Sequence, residues 1–322
     1  MRRMLLSAVS AAVMLLAACG SDSPAASGST TGSTPPTAGA TTPAVGVTTP
    51  APAATEVATS STLPAPSKII SLSPTATEDL YAIGAGGQVL AVDDQSNYPA
   101  EVLNKPHDLS GYQPNVEAIA ALRPDLVLIG DDSSGLSKQL DALGLKTWIG
   151  AAATSLDDVY TQIEQLGALT GHIGAAAELV SKMQTEIEAT VKATPKPATS
   201  LTYYHELDNT YYSITENTFI GHVYTLFGMH SIANLQQVSS DYPQLSAEAI
   251  IGANPDFIFL ADGGFGESPQ TVAARPGWST LKAVTNGNVI VVDADISSRW
   301  GPRIVDYITA ISADISKAAV AG

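Results

Sequence analysis

Glu117-Ala-Ile-Ala-Ala-Leu-Arg-Pro124-Asp125-Leu-Val-Leu-Ile129-Gly-Asp131 recurs further along the chain as Glu248-Ala-Ile-Ile-Gly-Ala-Asn-Pro255-Asp256-Phe-Ile-Phe-Leu260-Ala-Asp262. Glu, Ala, Ile, Pro, Asp and the closing Asp keep identical offsets, and the copies lie 131 residues apart. Each reads as a short amphipathic helix, a Pro-Asp turn that ends it and a buried apolar strand. Tyr112 precedes the first copy and Tyr242 the second. Solenoid repeats have periods of roughly 20–50 residues, so copies this far apart predict two similar lobes. Each lobe then presents one exposed glutamate and one aromatic residue near an edge.

The chain has 322 residues, room for one large or two medium domains. Its formal charge of −16 argues against nucleic-acid binding, which needs basic patches. The same charge opposes spontaneous adhesion to an anionic bilayer, so any membrane attachment is expected to be covalent. Cys19 is the single cysteine, which excludes an intrachain disulfide. It follows a basic start, Met1-Arg2-Arg3, and an apolar run from Met4 to Ala18 that is too short to span a bilayer comfortably. Leu16-Ala17-Ala18-Cys19 resembles a bacterial lipoprotein signal, so residues 1–18 are expected to be removed and Cys19 acylated. Residues 19–67 are nearly all Ser, Thr, Ala, Pro, Gly and Val, and read as a tether that cannot bury a core.

From Lys68 onward, strands and helices alternate. Lys68–Leu72 reads as a buried strand, and Thr75 with Glu78 has capping-box spacing for a helix running to Ile83. A strand over 88–92 leads to the polar loop Asp93-Asp94-Gln95-Ser96-Asn97-Tyr98-Pro99, at a strand end where open α/β sheets bind ligands. After the first copy come a helix over 136–143 and a strand over 146–149. This alternation indicates a parallel sheet covered on both faces. Residues 155–191 carry no strand signal, and Val159, Ile163, Leu166, Met183 and Ile187 share a helical face. They read as one long helix, or two nearly collinear ones. A second alternating stretch begins at Ser200, with strands over 200–204 and 289–292 and helices over 220–227 and 304–317. The expected fold is α/β: two Rossmann-like lobes, 68–153 and 195–322, joined by a rigid helical segment over 154–194, with a ligand cleft between them.

On these features the chain resembles the substrate-binding lipoproteins of bacterial ABC importers, in the helical-backbone class that captures vitamin B12 and ferric siderophores. The residues that carry the likeness are Ile69-Ile-Ser-Leu-Ser-Pro-Thr-Ala-Thr-Glu78, Ser96-Asn-Tyr-Pro99, the two repeat copies, Leu136–Leu145 and Arg299-Trp-Gly-Pro-Arg303. The resemblance covers essentially everything from Lys68 to the end and is nearest to the cobalamin binders. It implies that Glu117 and Glu248 dock onto arginines of the permease subunits, where two carboxylates at a fixed spacing meet paired guanidiniums. A glutamate in a first helical turn also simply favours the helix dipole, by under about 1 kcal/mol.

The resemblance further implies a cleft lined by aromatics from both lobes. Tyr242 stands where that class has a ligand-stacking Trp, and Tyr112 is within one residue of the equivalent aromatic in the first lobe. Tyr98 comes from the polar loop, and Asp295, Arg299 and Trp300 from the last loop. Flat aromatic faces suit a large macrocycle such as cobalamin, with a few polar groups to orient it. Tyrosines accompanied by Arg299 and Arg303 suit a ferric siderophore equally. His205, beside Glu206, follows a strand and is a further candidate for the cleft, where it would serve as an axial ligand for heme.

No His pair has the i, i+4 spacing of a helical metal site, and the sequence contains no G-x-S-x-G, H-E-x-x-H, Walker A or G-x-G-x-x-G motif. Gly263-Gly264-Phe265-Gly266 lacks a phosphate-loop lysine and reads as a flexible turn at the cleft mouth, with no helix opening behind it. The expectation is a monomeric binding protein without catalytic residues, metal or cofactor. It would be held at the extracytoplasmic face of the membrane by its N-terminal lipid.

Overall fold

A computed structural model describes residues 64–197 and 199–321. The expected signal segment, Cys19 and the tether up to residue 63 lie outside the described residues. In chain order the first half contains β1 (Ile69–Leu72), α1 (Pro74–Ala82), β2 (Val89–Val92), α2 (Val116–Ala121), β3 (Leu126–Ile129), α3 (Leu136–Asp141) and β4 (Thr147–Ile149). Two long helices follow, α4 (Leu156–Thr170) and α5 (Ile173–Ala193). The second half contains β5 (Leu201–Glu206), α6 (Phe219–Thr225), β6 (Met229–Ser231), α7 (Ala247–Ala253) and β7 (Phe257–Leu260). It closes with α8 (Pro269–Ala274), α9 (Lys282–Thr285), β8 (Val289–Val291), α10 (Ala294–Ser297) and α11 (Ile304–Ala321).

The strands form two parallel four-stranded sheets, ordered β2-β1-β3-β4 and β6-β5-β7-β8. The two orders are the same once each strand is matched to its repeat partner. The likeness extends to single atoms. Asp125 Oδ2 accepts Ser67 N and Oγ at 2.9 Å and Lys68 N at 3.0 Å. Asp256 Oδ2 accepts Thr202 N and Oγ1, both at 2.9 Å. The Pro-Asp of each copy therefore fastens the chain where it enters the neighbouring strand. The residue before each proline is left-handed, Arg123 at φ 50° and Asn254 at φ 47°, a conformation that ends a helix, and the proline then bars a return to the right-handed helical region.

Local chemistry moves several expected boundaries. Ser73, not Thr75, caps α1: its Oγ accepts Ala76 N at 3.3 Å, and Pro74 opens the helix. A helix does follow the glycine turn at 263–266, since Ser268 caps α8. The strand β6 gave no sequence signal. The helical connector is two helices and they are not collinear. Gly171 at φ 81° ends α4, and a Cβ on Gly167 would collide with Ala176 Cβ. Nine residues of straight helix span roughly 13 Å, so α5 must turn back across α4, and a glycine is needed where they cross.

One apolar core runs through both halves. It joins Ile69 and Leu128 of the first sheet, Ile163, Leu166, Val180 and Met183 of α4 and α5, Tyr203 and Phe259 of the second sheet, and Ile308 of α11. The remaining faces carry smaller cores, with Ile119 and Val127 on the first sheet and Ile250 and Trp278 on the second. Both strand-end loops then meet: Asn97 Nδ2, beyond β2, donates to Asp295 Oδ2, beyond β8, at 2.7 Å. The carboxyl edges of the two sheets thus face one seam. No described helix is long and apolar enough to cross a membrane.

Candidate functional site

A cavity of about 540 Å³ opens at the carboxyl edge of the first sheet. Its floor is the ends of β1 and β3, through Leu72, Ser73, Ile129 and Gly130, together with Asp93 beyond β2. Tyr112 and Pro114 form one wall, ahead of α2. Asp295, Ser298, Arg299 and Trp300 also line the cavity, contributed by α10 and the turn that follows it, between β8 and α11. Tyr112 is 85% exposed, and Trp300 is held by its indole Nε1 donating to Gln162 Oε1 at 3.1 Å. Four of the expected ligand residues, Tyr112, Asp295, Arg299 and Trp300, therefore share one cavity.

Arg299 plays another part within it. Its Nη1 donates to Glu78 Oε1 at 2.9 Å and Asn97 Oδ1 at 2.8 Å, and its Nη2 to Gln95 O at 3.0 Å. Nη2 also lies 3.0 Å from Asp295 Oδ1. Arg303 meets the same Glu78, with Nε 2.8 Å from Oε2 and Nη2 2.5 Å from Oε1. Hydrogen bonding to Glu78 holds the Arg303 guanidinium above its ordinary range. Both arginines thus lock the second half of the chain to the first around one buried carboxylate. Glu78 has the spacing of a capping residue, but its partners lie more than 200 positions away.

Tyr98 stands apart from the cavity. Its ring faces the Arg303 guanidinium carbon at 4.3 Å, a cation–π contact, and it lines a separate groove of about 350 Å³ with Glu78, Tyr81 and Asp306. Tyr242 is 56% exposed and lines neither space.

His205 does not reach the cleft. It is 1% exposed, its Nδ1 lies 2.9 Å from Tyr224 Oη, and that oxygen lies 2.6 Å from Tyr307 Oη. Burial drives its pKa down to about 3, so the ring stays neutral. The strand continues through Glu206, which carries His205 into the core instead of releasing it at the sheet edge. Among the described residues no group of three or more His, Cys, Asp or Glu is arranged to hold a metal ion.

Glu117 and Glu248 are exposed and sit in the first turns of α2 and α7. Asn115 Oδ1 caps α2 by accepting Ala118 N at 3.0 Å, and Ser246 Oγ caps α7 by accepting Ala249 N at 3.1 Å. With the cap taken by its neighbour, each glutamate is left facing solvent.

The cavity also holds residues that sequence alone did not single out as ligand contacts. Asp93 is 1% exposed, and its Oδ1 accepts Ser96 N at 2.8 Å. Burial raises its carboxyl, while hydrogen bonds from Ser96 pull it back. Asp131 takes both the amide and the hydroxyl of Ser133, which lowers its carboxyl below the ordinary range. Their sequence signal was only a run of acids at strand ends.

A family model, periplasmic binding protein, matches residues 69–296. This chain belongs to that family. Among its relatives is an uncharacterized ABC transporter substrate-binding lipoprotein, YvrC, of Bacillus subtilis, 31% identical over 78% of this chain and 80% of its own length. A cobalamin-binding protein of Halobacterium salinarum is 32% identical over 75% of this chain and 67% of its own. The crystal structure of the periplasmic vitamin B12 binding protein BtuF of Vibrio cholerae superposes with a TM-score of 0.67 at 25% identity, covering 79% of this chain and 98% of that one. The two-sheet α/β architecture of this periplasmic binding protein is that of BtuF. These relatives are binding proteins by name, which accords with a solute-binding role.

Proposed function

We propose that this periplasmic binding protein works outside the cytoplasm as a lipid-anchored monomer. It captures a corrinoid or ferric-siderophore solute at the seam between its lobes and delivers it to the permease of an ABC importer. It is not an enzyme in this reading. The observation that carries the reading is the cavity at the carboxyl edge of the first sheet, lined by both Tyr112 and Trp300. Two aromatic side chains beside a few polar groups fit a large planar solute. The matched exposed pair Glu117 and Glu248 supports delivery, one carboxylate per lobe for a paired partner. Tyr242 enters from the second lobe only if the solute extends past the present cavity. A heme reading loses the axial histidine that His205 would have supplied.

The shared core and the seam around Glu78 resist hinge motion, so capture proceeds with little closure of the lobes. The test is a titration of the protein with cyanocobalamin and with ferric siderophores, followed by absorbance and Trp fluorescence. Saturable binding that Tyr112→Ala weakens by about tenfold or more, the truncation cost of a stacking residue, supports the reading. Turnover of the added compound, or binding indifferent to Tyr112, contradicts it.

A further inference from the structure

The charges around the cavity discriminate between the candidate solutes. Catecholate iron chelates are polyanions and heme carries propionates, whereas a corrinoid presents a rim of primary carboxamides, each an N–H donor. An anionic solute needs a free cation in the wall. Arg299 is the only Lys, Arg or His among the residues that line the cavity. Its guanidinium is already bound to Glu78, Asn97, Gln95 and Asp295, and Arg303 is bound to Glu78 beneath Tyr98. Within this seam two arginines balance two carboxylates, Glu78 and Asp295. Asp93 and Asp131 are left without a cationic partner among the described residues.

The floor is also shaped for a donor. A Cβ on Gly111 would stand 2.9 Å from both Asp93 Oδ2 and Leu72 O. Glycine therefore keeps open the space in front of two oxygen acceptors, and all three residues line the cavity. Asp93 is almost fully withdrawn from water, so a donor reaching Oδ2 restores hydration that burial has removed, and a second negative charge there is repelled at low effective dielectric.

Resting on the reading of the cavity as the solute site, we propose that it selects an uncharged or cationic, amide-bearing solute. Asp93 and Asp131 accept hydrogen bonds from that solute and exclude polyanionic iron chelates and heme.

The experiment titrates the full chain with five probes: cyanocobalamin, its monocarboxylic acids (each with one side-chain amide hydrolysed), a ferric tris-catecholate, a ferric hydroxamate and heme. Cyanocobalamin is expected to bind, and at least one monocarboxylic acid to bind about tenfold or more weakly, since a carboxylate replaces a donor. Asp93→Asn and Asp131→Asn are each expected to narrow that gap. The Asp93→Asn side chain keeps an oxygen that can accept Ser96 N, so the floor keeps its fold. A tris-catecholate or heme that binds more tightly than cyanocobalamin overturns the selectivity while leaving solute capture standing. A gap unchanged in both variants overturns the roles given to Asp93 and Asp131. Failure of every probe to bind removes the cavity as a solute site and the selectivity with it.

Discussion

Arg299 stands 221 positions beyond Glu78 in the chain, yet its Nη1 lies 2.9 Å from Glu78 Oε1, inside the seam where the two halves meet. Arg303 closes on the same carboxylate, so one glutamate is shared by two guanidiniums that are themselves mostly withdrawn from water. Removing it strands Arg303 and leaves Arg299 with Asp295 for a carboxylate. Glu78→Ala is expected to lower the unfolding free energy by about 3–5 kcal/mol, the cost of breaking a buried ion pair by deleting one partner. Glu78→Gln is expected to lose less, because the amide oxygen still accepts. Urea denaturation of the two variants checks this.

The glutamates at the matched helix starts test delivery separately from capture. The double variant Glu117→Ala, Glu248→Ala is expected to bind solute within about twofold of the native protein. Uptake by cells should fall by about tenfold or more, because these side chains touch only the proposed permease partner. Each single variant is expected to fall between. Unchanged uptake in the double variant would remove the docking role.

A pH dependence is built into the second lobe. Asp262 is 3% exposed, neither carboxylate oxygen has a hydrogen-bond partner, and burial with Glu206 nearby lifts its pKa to about 7. The unfolded chain titrates this group in the ordinary carboxylate range, so between that range and 7 the folded state holds an extra proton. Its contribution is therefore fully present in acid and is lost as pH rises through about 7. Asp262→Asn cannot ionise. Its stability is expected to match the native protein near pH 4 and to exceed it by about 1–3 kcal/mol at pH 8.5. Thermal melts of both proteins across that interval read the difference.

The crossing of α4 and α5 depends on one missing side chain. Gly167→Val drives a branched group into Ala176 and is expected to cost about 1–3 kcal/mol through overpacking. Adding Ala176→Gly should recover part of that loss, and a double-mutant cycle measures the coupling. Full additivity would mean the helices do not touch at this point.

Much of the fold was written in the repeat, because Pro124-Asp125 and Pro255-Asp256 carry both a helix stop and a strand anchor within a few residues. What escaped were relations between distant residues. Thr75 and Glu78 have the spacing of a capping box, but Ser73 followed by Pro74 makes the better helix start, and it frees Glu78 to meet arginines at the other end of the chain. The three residues of β6 are too few to show a period. His205 sits at what reads as a strand end, and only the extra step of pairing between Glu206 and Leu260 withdraws it from the cleft. Tyr112, Asp295, Arg299 and Trp300 line the cavity because each belongs to a segment that follows a strand's carboxyl end, Asp295 on α10. Tyr98 belongs to such a segment as well, but its attraction to Arg303 turns it away.

The apolar seam that threads Ile69, Met183, Tyr203 and Ile308 has a thermodynamic consequence for the molecule as a whole. Each duplicated half keeps a smaller core on one face of its sheet, but this one is shared, so cleaving the backbone near Pro195 would strip each piece of a wall it borrows from the other. The molecule should accordingly melt once, as a single cooperative body, and the halves should gain order only by reassociating.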